Sequence, residues 1–218
     1  MRFKRNKFFE NTKGAVLGIV SIIVGLVGMF ISYLAIPGYN ILENMVSELG
    51  LGPWGIFFNL GFVFSGLLAI PYYLNLSYLF QSENIDHRLI NGSIIASVVS
   101  CIAYALVGVF PAYKENLFYY WAHGTFAAIS GISGIAYLLL FGYMMYNSKI
   151  FKKRHAFFSL LISLFYLAFL LTWIPIIEWM ASFGIMSWIF FNSLYLLYFI
   201  KKREDMKVKT INSDLEKA

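Results

Sequence analysis

The sequence predicts an all-α polytopic membrane protein, a six-transmembrane-helix bundle with a short extracytoplasmic amphipathic helix. Three observations carry that prediction. Apolar residues make up 60% of the chain, charged ones 13%, and the mean hydropathy is +0.70; a water-soluble globule of that composition would expose hydrocarbon over much of its surface. Apolar stretches recur at 15–37, 56–80, 90–111, 119–146, 156–174 and 176–200, each near the length of about 20 residues that crosses about 30 Å of hydrocarbon. The basic residues also segregate. Of the 17 Lys and Arg residues, all but Lys114 fall in segments that six crossings place on one side. They are Arg2, Lys4, Arg5, Lys7, Lys13, Arg88, Lys149, Lys152, Lys153 and Arg154, then Lys201, Lys202, Arg203, Lys207, Lys209 and Lys217. Cytoplasmic loops retain Lys and Arg, so a multi-pass plasma-membrane protein with both termini cytoplasmic is expected. The net charge of +6 sits at helix ends, where anionic headgroups hold it, which makes the lipid bilayer the expected partner and excludes nucleic acid.

Taken in order, residues 1–14 read as a basic N-terminal segment, 15–200 as the transmembrane domain and 201–218 as a charged tail. The first span is longer than a signal-peptide core and no small-x-small cleavage site follows, so it reads as an uncleaved anchor. Pro71 lies inside the second span and is expected to kink it. In the third, Ser93, Ser97, Ser100, Cys101, Tyr104 and Gly108 recur at spacings of three and four; in the fourth, Gly124, Ala127, Ala128, Gly131 and Gly134 do the same. Small residues let backbones approach closely in lipid, so these stripes mark the bundle interior. Cys101, the single cysteine, excludes an intramolecular disulfide and a Cys-rich metal site. Spans five and six form a hairpin around Pro175, whose missing N–H costs nothing in the first turn of a helix. No span carries a mid-membrane charge, which argues against an ion pump or a proton relay. Trp54, Phe118, Tyr119, Tyr120, Trp121, Trp173 and Trp179 read as an outer aromatic belt, and Asp86, His87 and Arg88 as a solvated cytoplasmic turn.

The polar chemistry concentrates outside. Asn40 to Gly50 reads as a short helix with Asn40 as cap and Gly50 as stop. Ile41, Leu42, Met45, Val46 and Leu49 form its apolar face; Asn40, Asn44, Ser47 and Glu48 form the other. That polar face either meets water at the interface or turns inward over the mouth of the bundle. His123, near the start of span four, shares a face with Ala127, Ser130 and Gly134, and Glu178 falls in the first turn of span six. Ionisable groups at membrane depth are functional-site candidates, although a carboxylate at a helix N-terminus also has a structural role open to it.

Three chemistries fit these residue types. Ser47, His123 and Glu48 or Glu178 could supply a nucleophile, a base and an orienting acid, but no nucleophile elbow surrounds Ser47. His123, Glu48 and Glu178 could supply three ligands to Zn²⁺ with an open position, though no close ligand spacing occurs. A non-catalytic polar pocket for a headgroup or a partner is the third and leading reading.

The run Asn44-Met-Val-Ser47-Glu48-Leu49-Gly50, followed by Phe58-Asn59-Leu-Gly61, resembles the signature of the prokaryotic membrane proteins catalogued as domain of unknown function 998. Val107-Gly108-Val-Phe110-Pro111 with His123 is similar to that family's second motif, and Glu178 to its third. The acidic residue expected after the Phe-Pro pair is replaced by Ala112, with Glu115 nearby. The resemblance implies a six-helix membrane fold and groups Asn44, Ser47, Glu48, Asn59, His123 and Glu178, without implying a reaction. A more distant resemblance to the Frag1/DRAM/Sfk1 group points toward lipid. The expected function is therefore binding, with or without modification, of a lipid or lipid-linked substrate at the outer leaflet. His123 would be base or ligand, Glu48 or Glu178 its partner, and Asn44 and Asn59 donors to a headgroup or oxyanion. A non-catalytic scaffold or assembly factor and a facilitator for a small neutral solute are the alternatives; helix three's Ser stripe is the hint of a path for the latter.

Overall fold

The computed structural model describes residues 12–83 and 85–215. Most of the basic segment at residues 1–11, including Arg2, Lys4, Arg5 and Lys7, and the terminal Lys217 lie outside the described residues. Six α-helices follow one another: α1 (Lys13–Leu34), α2 (Gly55–Phe80), α3 (His87–Val109), α4 (Leu117–Asn147), α5 (Lys153–Thr172) and α6 (Pro175–Leu215). All six are long and apolar enough to cross a membrane. α6 runs past the tail boundary read at residue 200 and stays helical to Leu215. α2 remains one helix through Pro71.

The helices close a ring. Each packs against its neighbours in the chain, and α6 packs back against α1. Two ends result. One carries the long connection between α1 and α2, the α3–α4 connection and the α5–α6 turn, and is called the mouth. The other carries Lys13, Arg88, the 148–152 turn and the start of the α6 extension, and with them most of the described basic residues.

Glycine sets the closest approaches. Gly14, Gly18, Ser21, Gly25, Gly28 and Ser32 form one buried stripe along α1. A Cβ at Gly28 would lie 2.4 Å from the Phe57 carbonyl oxygen and 3.1 Å from the Gly61 Cα, so α1 and α2 touch backbone to backbone there. The expected α3 stripe does face inward: Ser93, Ser97, Ser100, Cys101 and Gly108 are buried. On α4 the expected stripe holds only in part, since a Cβ at Gly124 would meet nothing within 4 Å. Outward lie Ile23, Phe30, Phe64, Ile95, Ile132, Phe157, Leu171 and Phe191, all exposed, as lipid-facing side chains are.

Local signals fix the helix ends. The Asp86 carboxylate accepts from the Arg88 N–H at 2.8 Å, so the turn read as merely solvated caps α3. Asn116 caps α4 by accepting from Phe118 and Tyr119 at 3.1 and 3.3 Å. Pro175 opens α6, as expected. Before it, Trp173 takes a left-handed conformation at φ 53°, rare for a large side chain, and its N–H closes α5 on the Phe169 carbonyl at 2.8 Å. At the basic end Glu83 ties two turns together, accepting from the Lys149 and Ile150 N–H groups at 2.7 and 3.2 Å and from the Ser148 hydroxyl.

The expected helix at 40–50 is corrected. The chain makes a turn in which the Asn40 carbonyl accepts from Glu43 and Asn44 at 3.0 and 2.7 Å. It passes through extended Met45 and then forms a 3₁₀ helix, Val46–Leu51. Continuation as an α-helix would need the carbonyls of Asn44 and Met45 for internal bonds. Trp179 Nε1 donates to Asn44 O at 3.0 Å, and Met45 O accepts the Tyr39 hydroxyl together with the Glu48 N–H at 3.0 Å, an i to i+3 bond that sets the 3₁₀ pattern. Val46 and Leu49 are buried as expected, whereas Ile41 and Leu42 are exposed.

Candidate functional site

The 3₁₀ segment lies over the mouth as a strap, and the polar residues read from the sequence are mostly its fastenings. Asn44 Nδ2 donates to Glu48 Oε2 at 3.0 Å, and Asn44 Oδ1 accepts from the Asn40 N–H at 3.0 Å. Asn59, near the start of α2, donates to the Gly50 carbonyl at 3.1 Å. Ser32 at the end of α1 donates to Trp54 O at 2.9 Å and accepts from the Phe58 N–H at 3.1 Å, fixing where the strap re-enters the bundle. Gly50 has no room for a side chain, because a Cβ would lie 2.4 Å from Asn59 Oδ1. The donors of Asn44 and Asn59 are thus engaged within the strap rather than offered to a ligand.

Glu178 is the centre of this end. Its carboxyl group faces the N–H groups of Val46 and Ser47 and the Ser47 hydroxyl, with Glu48 close enough to repel it. Its Oε2 is enclosed and makes no hydrogen bond. No cation accompanies it among the described residues. Tyr39 stands beside the pair, its ring edge-on to Trp179 at 6.1 Å. Burial first, then the negative charges of Glu178 and Glu48, push the Tyr39 phenol above its ordinary range, so it stays a neutral donor.

His123 is elsewhere in function. Its Nδ1 pairs at 2.8 Å with the Phe110 carbonyl, just past the end of α3. A carbonyl oxygen can only accept, so Nδ1 carries the proton and the ring caps the α3 terminus. No hydrogen bond or ion pair joins His123 to Ser47, Glu48 or Glu178 among the described residues. The structure therefore brings Ser47, Glu48 and Glu178 together and leaves His123 apart. Nor is there a group of three or more His, Cys, Asp or Glu placed to hold a metal ion among the described residues. The Zn²⁺ set of His123, Glu48 and Glu178 and the Ser47 triad are not assembled among the described residues, because His123 stands apart from the other three; its Nε2 keeps a lone pair while Nδ1 holds α3. His123→Phe, which keeps a ring and removes the donor, is expected to cost about 1–3 kcal/mol by stranding a carbonyl. Equilibrium unfolding in mixed micelles measures this.

All six helices line a partly open cavity of about 50 Å³. Its lining includes Ser65 and Tyr73 from α2, Ser100, Cys101 and Tyr104 from α3, Ser130 and Tyr137 from α4 and Tyr166 from α5. Ile22, Ile185, Met186 and Ile189 supply apolar wall. Tyr73 donates to Tyr137 at 2.9 Å, and Ser100 donates to the Ser130 carbonyl at 2.9 Å across α3 and α4. Glu178 lies within electrostatic reach of Tyr104 and Tyr166. Toward the basic end the cavity stops at fully buried Tyr72, Leu76, Phe141, Met144 and Trp188. The α3 serines below it, Ser93 and Ser97, are turned onto their own helix, donating to Ile90 O and Ile94 O at 2.8 and 3.1 Å. Of the tyrosines, the sequence reading placed only Tyr104 on an interior stripe; Tyr73, Tyr137 and Tyr166 went unread, because they lie on different spans and only the ring brings them together.

A family model described as a protein of unknown function (DUF998) matches residues 19–198, from α1 into α6. The chain belongs to the DUF998 family. In this DUF998 protein the three segments that carried the resemblance lie at the same end of the bundle, the strap and Asn59 with Glu178 beneath, and the Phe110–His123 cap apart from them. No curated protein and no solved structure matches the chain, and nothing among the matches carries the resemblance to the Frag1/DRAM/Sfk1 group.

Proposed function

We propose that this DUF998 protein binds the headgroup of a lipid or lipid-linked molecule at its mouth, which faces the outside of the plasma membrane, with both termini cytoplasmic. The sidedness rests on the distribution of Lys and Arg. The ligand reading rests on one observation: the enclosed, unpartnered Oε2 of Glu178 beside a second carboxylate, Glu48. A carboxyl group at membrane depth that keeps one enclosed oxygen unpaired is costly, and such a group is a ligand-site candidate. Two carboxylates and no cation favour a headgroup that offers donors, an amine or a set of hydroxyls, over a bare phosphate. Chemical modification of that lipid would need a base, and no hydrogen bond joins His123, the one histidine at this end, to Glu178, Glu48 or Ser47 among the described residues. The dead end at Trp188 disfavours the solute facilitator, which requires a through path.

Native mass spectrometry of the protein extracted gently from its own membrane tests this, with wild type beside Glu178→Gln. The expected result is a lipid adduct with an amine or hydroxyl headgroup, depleted about tenfold or more in Glu178→Gln, as loss of one charged hydrogen bond predicts. Equal adducts in both, or none in either, would remove the headgroup reading. Loss of a protein partner in the variant would put the assembly factor in its place, a reading favoured by the mutual satisfaction of Asn44 with Glu48.

A further inference from the structure

We propose that the central cavity is a second ligand site, separate from Glu178, for a small uncharged molecule that carries a carbonyl or hydroxyl group on an apolar body. The hydroxyls facing it are unequal. Those of Tyr73, Ser100, Ser130 and Tyr137 are paired, as is that of Ser21, which donates to Gly18 O at 2.7 Å. Those of Ser65, Tyr104 and Tyr166 line the cavity and have no hydrogen-bond partner among the described residues. Unpaired hydroxyls on a cavity wall demand an occupant, water or ligand.

The wall chemistry selects which occupant. No Asp, Glu, Lys, Arg or His lines the cavity, and Glu178, though within electrostatic reach of Tyr104 and Tyr166, is not on its wall, so a charged ligand would find no group to pair with and the ligand is neutral. Phenol donors call for an acceptor oxygen. Ile22, Ile185, Met186 and Ile189 on one side, with Tyr104 stacked on Phe62 at 4.2 Å on another, call for an apolar body. The volume holds about four waters, which sets the size. Lining residues come from the middle of every span, so the ligand reaches the site from within the membrane or past the strap, and the packed residues around Trp188 block its exit at the basic end.

1-Propanol and propylammonium are the probes, a neutral and a charged chain of about the size of four waters, applied to the full chain in nanodiscs. Cys101 reports locally, because it lines the cavity and is the chain's single cysteine. 1-Propanol is expected to slow labelling of Cys101 by methyl methanethiolsulfonate saturably, and propylammonium is not. Tyr104→Phe with Tyr166→Phe keeps both rings, and is expected to weaken 1-propanol protection about tenfold through lost hydrogen bonds. Glu178→Gln should leave it unchanged, so the two sites fail or stand separately. Equal protection in wild type and the double phenylalanine variant, or none in either, overturns the assignment and leaves a water-filled cavity.

Discussion

Trp188→Ala should be the most damaging single truncation in the bundle. The indole is fully buried, with Tyr73, Tyr137 and Phe141 ring centres 6.2, 6.3 and 6.0 Å away, and Nε1 donates to the Ser159 hydroxyl at 2.7 Å. Ser159 in turn donates to His155 O at 2.9 Å, and Asn192 joins His155 Nδ1 to the Trp188 carbonyl at 3.0 and 2.8 Å. Truncation therefore empties the plug between α2, α4 and α6 and strands the Ser159 oxygen. In water-soluble cores such losses run to about 3–5 kcal/mol. In lipid the transfer part shrinks, because acyl chains receive apolar atoms nearly as well as the core does, and the loss is chiefly of packing. A destabilisation near the lower end, about 3 kcal/mol, is expected in equilibrium unfolding in mixed micelles. Trp188→Phe should lose less than half of that, since it keeps most of the volume. A loss below about 1 kcal/mol for the alanine variant, no more than an average point mutation, would show that the plug is not close-packed.

Gly28→Leu should prevent α1 and α2 from associating. Even a Cβ must displace backbone here, at 2.4 Å from Phe57 O, and no rotamer change relieves that. Overpacking of a core commonly costs about 1–3 kcal/mol, and a rigid obstacle drives it higher. Two controls separate sterics from the general effect of adding carbon. Gly25→Ala meets the Ser65 Oγ at 3.2 Å, a side-chain atom that can rotate, and should be mild. Gly124→Ala meets nothing within 4 Å and should stabilise α4 by up to about 1 kcal/mol through helix propensity alone. If all three substitutions behave alike in thermal melts and expression yield, the α1–α2 crossing is not backbone against backbone.

The contrast among these glycines shows what a sequence in lipid discloses. Spans are legible because crossing demands an unbroken apolar run: each of the six expected spans has a helix in place, with ends within a few residues except at the C-terminal end of α6, which continues to Leu215. Interiors are less legible, since lipid-facing and core-facing residues are both apolar. The α1 stripe at Gly14, Gly18, Ser21, Gly25, Gly28 and Ser32 went unread although its spacing alternates between four and three, while Gly124 was read as packing and touches nothing.

The strap misled for another reason. Its amphipathic period is real, but Tyr39 and Trp179 take two of its carbonyls, and the Trp179–Asn44 bond joins residues far apart in the chain. The polar motif residues were found because polarity is conspicuous against hydrocarbon. Their partners were not, because Gly50 O and Phe110 O are backbone atoms that any residue would supply.

The order of helices around the ring bears on how the protein is made. Every extensive interface joins helices consecutive in the chain, except the one where α6 returns to α1 and Ser193 settles beside Gly18. A growing chain can therefore lay each helix against the one just synthesised, at small cost in loop closure. Until α6 is inserted the assembly is an open curl whose hydroxyl-lined inner wall faces lipid. The seam between α1 and α6 can close only once α6 is in place, so it is the one interface of the ring that must wait for five other helices.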